Sequence, residues 1–360
     1  VDFNYFWNPS NTVKFGASSI LHHFNPGTVK GTGADSPIDE YKIPGSKALE
    51  HQAYISNQTE VGKFTLKYGL HLSVFQNMGK SLVYHYNDNY KATDSTQYKQ
   101  GEIYNTYAGL APRLGIKYML NEVSSLKASY SRTKQYLQLA QNSTAGTPLD
   151  IWFPASPNVK PQLADQYALG YFRNFADNQI ELSVEAYYKK MHHTIDFKKH
   201  ANLLLNKQLE GELRFGSANS YGAELMLRLK YPKLGGWFSY TYSRTFREIN
   251  TINENEPYPA PYDKPHNLSV VLTYNLTDRL TASGTWVYAT GQPVTFPTGR
   301  YEYNGLIAPV YSDRNDYRMP DYHRLDLSLT WKGKENPQKK WHSEWNFSVY
   351  NAYNRKNAWA

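Results

Sequence analysis

Two sets of side chains in this sequence have types and spacings that could do chemistry. The first is paired carboxylates and histidines. Glu181 and Glu185 stand four residues apart, and two carboxylates on one face are the raw material of general acid/base catalysis. His22-His23 and His192-His193 offer imidazoles, common metal ligands. Neighbouring residues of an extended strand point to opposite faces, however, so neither histidine pair can chelate from a strand. No Cys or carboxylate completes a zinc-like spacing, and carboxylates on a wet strand face ordinarily meet water or adjoining protein. The sequence therefore predicts no catalysis, metal or cofactor. The second set is aromatic residues mixed with arginine and acids in "YHYNDNY" from Tyr84, "DIWFP" from Asp150, "RYEYNG" from Arg300 and "YSDRNDYR" from Tyr311. Aromatic faces supply contact area at low entropic cost, and Arg or Asp fixes polar groups of a ligand. Trp152, Tyr301, Tyr303, Arg314 and Tyr317 are the expected ligand contacts.

The segments between these clusters alternate strictly. From Gln179 to Lys189 one face reads Ile180, Leu182, Val184, Ala186, Tyr188, and the other Gln179, Glu181, Ser183, Glu185, Tyr187, Lys189. Period two means a strand with one apolar and one wet face. The pattern recurs at Phe64, Leu66, Tyr68, Leu70, Leu72, at Leu268, Val270, Leu272, Tyr274, and at Leu325, Leu327, Leu329, Trp331. Ordinary strands run about five or six residues, whereas about ten are needed to cross a bilayer at a tilt. The expected architecture is all-β, a transmembrane antiparallel up-and-down barrel. Charged residues on the wet faces, Lys63, Lys67, Arg113, Lys117, Lys127, Glu181, Glu185, Glu224, Arg228, Arg324 and Asp326, are then assigned to the lumen. Facing lipid, Arg or Lys near the midplane would cost about 2 to 4 kcal/mol.

Composition agrees. No stretch of the 360 residues approaches a spanning helix, and the mean hydropathy is −0.67. A barrel passes that test because half of each strand is polar. The 32 tyrosines and 8 tryptophans suit aromatic girdles at two membrane interfaces. The formal charge of +8 is spread along the chain, a poor footprint for nucleic acid. With no Cys there are no disulfides or thiol chemistry.

Short and long connections take turns. Short ones are expected at Asn8 to Asn11, Asn57 to Gly62, Asn121 to Ser124, Ala176 to Asn178, Tyr231 to Gly235, Thr277 to Arg279 and Lys332 to Lys340. Long ones span Asn25 to Lys47, Met78 to Glu102, Gln138 to Leu163, His192 to Leu209, Arg247 to Lys264 and Gly291 to Asp321. That asymmetry is the one expected of periplasmic turns and extracellular loops, and it gives about fourteen strands. A soluble extracellular carbohydrate-binding protein would also alternate, but successive long hairpins with all short turns at one end are awkward for a sandwich.

Several stretches resemble the barrel region of TonB-dependent outer-membrane receptors. They are "PYDKPHNLSVVLTYNLTDRLTASGTWVYATGQPVTFPTGRY" from Pro261 to Tyr301, with "APRLGIKYMLNEVSSLKASYSRTKQYL", "VKPQLADQYALGYFRNFADNQIELSVEAYYKKMHHTIDF", "GSANSYGAELMLRLK" and "WNFSVYNAYNRKNAW". The style is nearest to receptors with a carboxypeptidase-regulatory-like N-terminal domain, related to SusC-like transporters. The resemblance implies a plugged barrel of about 22 strands, of which residues 1–360 form part. On that reading the N-terminal plug, about seven early strands and the last strand lie outside this chain. It also implies residence in the outer membrane of a Gram-negative bacterium and capture of a scarce small or oligomeric solute at the cell surface. Import would be powered by the TonB complex acting through the N-terminal region, and a surface lipoprotein is a possible partner. A passive porin and a non-transporting scaffold in an envelope complex are the alternatives.

Overall fold

The computed structural model describes residues 1–31, 41–140, 151–203, 206–303, 305–334 and 341–358. Asp150 lies outside these. Fourteen strands follow one another in sequence order across a single antiparallel sheet. They are β1 (Asp2–Asn8), β2 (Asn11–Phe24), β3 (Ser46–Val61), β4 (Phe64–Met78), β5 (Ile103–Asn121), β6 (Ser124–Gln135) and β7 (Gln162–Phe175). Then come β8 (Ile180–Phe197), β9 (Leu213–Lys230), β10 (Leu234–Ile249), β11 (His266–Thr277), β12 (Leu280–Ala289), β13 (Tyr322–Lys332) and β14 (Glu344–Val349). The two-residue strand Tyr258–Pro259 also pairs with β10. Every neighbour is joined by a hairpin, and β5, β8 and β9 reach 19, 18 and 18 residues.

Cross-strand register separates two faces. Leu126, Tyr171, Val184, Leu225, Tyr240 and Leu268 lie side by side across β6 to β11. Such outward rows are solvent-exposed, with Leu72, Leu110, Leu114, Leu169, Leu272 and Leu327 among them. A soluble domain rarely exposes a contiguous apolar patch beyond a few hundred Å², so this face belongs against hydrocarbon. Towards the loop end the leucines give way to a row of four tyrosines, Tyr130, Tyr167, Tyr188 and Tyr221. The next row is Arg132, Asp165, Lys190 and Asn219. Apolar, then aromatic, then charged is the order a strand meets on leaving a bilayer.

The opposite face is polar. One row across it runs Lys117, Lys127, Gly170, Glu185, Glu224 and Thr241. Lys67, Arg113, Arg228, Arg324, Asp326 and Glu181 share this face; Lys67, Arg113, Asp326 and Glu181 stand opposite polar or glycine positions, while Arg228 lies between Glu181 and Trp237 and Arg324 opposite Val287. Lys63 does not: it occupies the two-residue turn between β3 and β4 beside Gly62, whose φ is +57°. The alternation of β4 begins only at Phe64, so counting back one residue further placed Lys63 on a face it does not have.

Two connections differ from the expected spans. β3 runs through Asn57 to Val61, which shortens that turn to two residues. β8 continues past His192 to Phe197, carrying strand into the expected loop. A one-residue register shift at His193, whose φ is +56°, accompanies that extension. The long connections are also built rather than loose. Hairpins pair Ser81–Tyr86 with Ala92–Tyr98 and Pro297–Tyr303 with Leu306–Tyr311, and Leu137–Ala140 pairs with Ile151–Pro154.

Candidate functional site

The loop end of the wall is held by three clusters of charge. Asp196, at the end of β8, accepts a hydrogen bond from Tyr258 Oη at 2.5 Å and lies 3.3 Å from Arg314 and 3.7 Å from Arg247. Arg314 also donates to Phe197 O at 2.7 Å, and its backbone exchanges hydrogen bonds with the Asn253 side chain. Burial, reinforced by the Asp196 charge, raises the Tyr258 phenol far above the usual tyrosine range, so it remains a donor. Asp263 is the second cluster: its carboxylate is 0% exposed, ion-paired to Arg318 and 3.4 Å from Arg244. It also accepts from Thr245 N at 2.7 Å. The third cluster is Glu210, which accepts from Ser156 Oγ at 2.5 Å and Asn158 Nδ2 at 2.6 Å. Burial pushes its carboxyl above the usual range despite those two donors. Three connections thereby meet at Glu210, because Asn158 also donates to Tyr84 O at 2.9 Å.

Between the first cluster and the hairpin of residues 297–311 opens a cavity of about 1190 Å³. Among the described residues its cations are Lys198, Lys199, Arg247, Lys264 and Arg314, and its one carboxylate is Asp196. Phe153, Tyr262, Tyr301 and Tyr311 supply aromatic surface, and Gln135, Gln138, Gln162 and Asn315 supply amides. Such a cavity can receive a solute with both flat or apolar surface and hydrogen-bonding oxygens.

Of the expected ligand contacts, Tyr301 and Arg314 line this cavity. Trp152 and Tyr303 are exposed and absent from its lining, and Tyr317 packs edge-on against Phe296 at 6.0 Å. Residues that the reading of loops passed over are Lys198 and Lys199, from the segment just beyond β8, and Lys264 within the Asp-Lys-Pro-His stretch. Their signal was present as "KKH" and "YDKPH", but nothing in one sequence says which loops converge.

On the polar face of the wall Glu181 pairs with Lys230 and lies 3.7 Å from Arg228. Arg324 and Asp326 pair at 2.8 Å, with Arg324 4.0 Å over the Tyr350 ring. Glu185 faces Glu224 directly. His22 bonds Glu50 at 2.9 Å, while His193 donates from Nδ1 to Pro161 O at 3.0 Å. Among the described residues no three His, Cys, Asp or Glu side chains converge as metal ligands.

A long antiparallel wall, apolar outside, polar inside and bearing an interlocked loop end, defines an outer-membrane β-barrel. The chain belongs to the TonB dependent receptor-like beta-barrel family, whose model matches residues 2–352. It is thus a protein of the Gram-negative outer membrane, from a family of transporters rather than enzymes. Solved structures of similar fold include the ferric-catecholate import receptor Fiu of E. coli K12 in its closed form, at 15% identity and TM-score 0.62, covering 99% of this chain and 50% of that one. The FrpB iron transporter of Neisseria meningitidis in its apoprotein form matches at 14% identity and TM-score 0.63, covering 98% and 51%. The ferripyoverdine receptor of Pseudomonas aeruginosa bound to ferripyoverdine matches at 13% identity and TM-score 0.59, covering 98% and 43%. The chain spans about half the length of the solved structures it matches. No curated protein sequence matches it.

Proposed function

We propose that this chain is the wall of a receptor that captures a scarce solute at the loop end and admits it across the outer membrane. The observation that carries the reading is the cavity itself: it sits between loops anchored by buried ion pairs, at the end of the wall where the strands have left the bilayer. The similar solved structures are an import receptor and an iron transporter by description, which supports uptake over a scaffold role. Trp152, Tyr303 and Tyr317, outside the cavity lining, would make an outer capture surface. The charged lumen residues would hold a plug, and the TonB complex would act through a region N-terminal to this chain. Residues 1–360 would then be part of one barrel domain.

The test uses the full-length receptor in cells that depend on it. Val294→Trp fills the cavity from its wall and should abolish uptake while leaving the protein in the membrane. A protonophore should do the same, since energised import needs the membrane potential and a passive porin does not. Uptake indifferent to both treatments would sink the proposal.

A further inference from the structure

The geometry points to an anionic ligand for the loop-end cavity, one carrying several acid groups on a flat or apolar body. This rests on the receptor reading above and adds the chemical class of what is received. Five cations line the cavity against Asp196. Lys198 is paired with Glu212 at 2.9 Å, and Lys199 lies 3.6 Å from Asp313. Counting those two carboxylates as well still leaves two positive charges uncompensated. Asp196 cannot serve a cationic ligand, because Tyr258, Arg247 and Arg314 already surround it. Among the described residues the exposed ammonium of Lys264 takes part in no ion pair. Charges that converge in a concave, partly desolvated site attract counter-ions from solution and bind them more tightly than an open surface does.

A second observation is independent of charge. Gln138 is 4% exposed and lines the cavity, and its Oε1 accepts from Gln162 Nε2 at 2.8 Å. Its own Nε2 has no hydrogen-bond partner among the described residues. A buried donor without an acceptor is costly, and an acceptor oxygen arriving with a ligand would remove that cost. Both features ask for the same thing, an oxygen-rich anion. The aromatic side chains around them favour a ligand with a planar or apolar part beside its acid groups.

The experiment presents the full-length receptor in detergent micelles with benzene-1,3,5-tricarboxylate and its neutral triamide, two probes of one shape. Calorimetric titration should show the tricarboxylate binding at least about tenfold more tightly, as expected for charge-assisted over neutral hydrogen bonds, with affinity falling as salt rises. Lys199→Gln combined with Lys264→Gln should weaken it several-fold. Gln138→Leu should weaken it too; because it also takes the acceptor from Gln162 Nε2, Gln138→Glu, which keeps that acceptor and replaces the donor by a carboxylate, serves as the second variant and should weaken binding at least as much. Equal binding of the two probes, binding of neither, or variants without effect would overturn the anionic assignment. If that happens while Val294→Trp still blocks uptake, the receptor reading stands alone. If Val294→Trp leaves uptake intact, the receptor reading falls.

Discussion

Asp263 should be the most sensitive single position in the loop end, and its removal can be given a size. Asp263→Ala takes away a fully buried carboxylate and strands Arg318 and Arg244. Removing one partner of a buried ion pair costs about 3 to 5 kcal/mol. The low end applies, because the two arginines are 30% and 25% exposed and can recover water. The Thr245 amide, left without its 2.7 Å acceptor, adds about 1 kcal/mol. The loss falls on docking of the loops rather than on the wall, so it appears as local opening. The sum, about 4 kcal/mol, corresponds to roughly 1,000-fold more opening. Hydrogen exchange in detergent should therefore show a drop of about three orders of magnitude in protection at Ala260 and Met319, whose amides bond Thr245 O and Gln292 O. Amides in the middle of β8 and β9 should be unchanged. Asp263→Asn keeps an acceptor for Thr245 and should lose about half as much. Unchanged protection at Ala260 and Met319 in the alanine variant would show that this carboxylate does not hold the loops.

Glu210 gives a pH prediction of the opposite sign to most carboxylates. Its folded-state pKa is raised by burial, so its contribution to stability is complete below the ordinary glutamate range and is lost as pH rises through the folded value. Glu210→Gln should keep one acceptor, for Ser156 or Asn158, give up the other bond and flatten the pH dependence of loop docking by removing the ionisable group; proteolysis of the 79–102 connection between pH 5 and 8 reads this out. Leu225→Arg, outward in the middle of the apolar band, should destabilise the barrel by about 2 to 4 kcal/mol in lipid. Arginine at the neighbouring inward Glu224 should cost far less, as folding titrations in urea will show. Spin labels from Leu268 to Asn275 should alternate in oxygen accessibility with period two, and a flat profile would contradict the outward row. Replacing residues 297–311 by a Gly-Ser turn should leave the wall intact, because the anchors Arg314, Asn315 and Arg318 remain; extending the exchange to Arg318 should free the loops as Asp263→Ala does.

How much was readable in the sequence varies with the solvent each part meets. The strands were legible because lipid on one side and water on the other impose period two over long runs, and the count of about fourteen matches the sheet. Ends were harder. Lys63 continued the alternation on paper, yet Gly62 and Lys63 close a turn. The Asp-Lys-Pro-His stretch was recognisable as a family-like feature, but nothing local says that its aspartate is buried against Arg318, 55 residues away. Composition singled out aromatic-rich loop segments; it could not say that Tyr301 turns into the cavity and Tyr303, two residues on, does not. Convergence of loops is a property of register and long-range ion pairs, which no single segment encodes.

His193 shows how much one residue can decide. Up to His192 the odd-numbered residues of β8 look inward, with Glu185 opposite Glu224; beyond it the even-numbered ones do, with Asp196 opposite Arg214. The extra residue acts as a phase shifter. The bulge is what absorbs it: paired without the bulge, His193 would take Gly216 as its partner and Asp196 would turn outward, whereas deleting His193 would leave Thr194 opposite Gly216 and Asp196 opposite Arg214. In the unbulged pairing every member of the Asp196 cluster would still be encoded, yet Asp196 would no longer face Tyr258, Arg247 and Arg314. In a wall built on parity, an extra residue is therefore tolerated where a bulge can take it up, and it is the bulge rather than the residue count that keeps Asp196 turned to its partners.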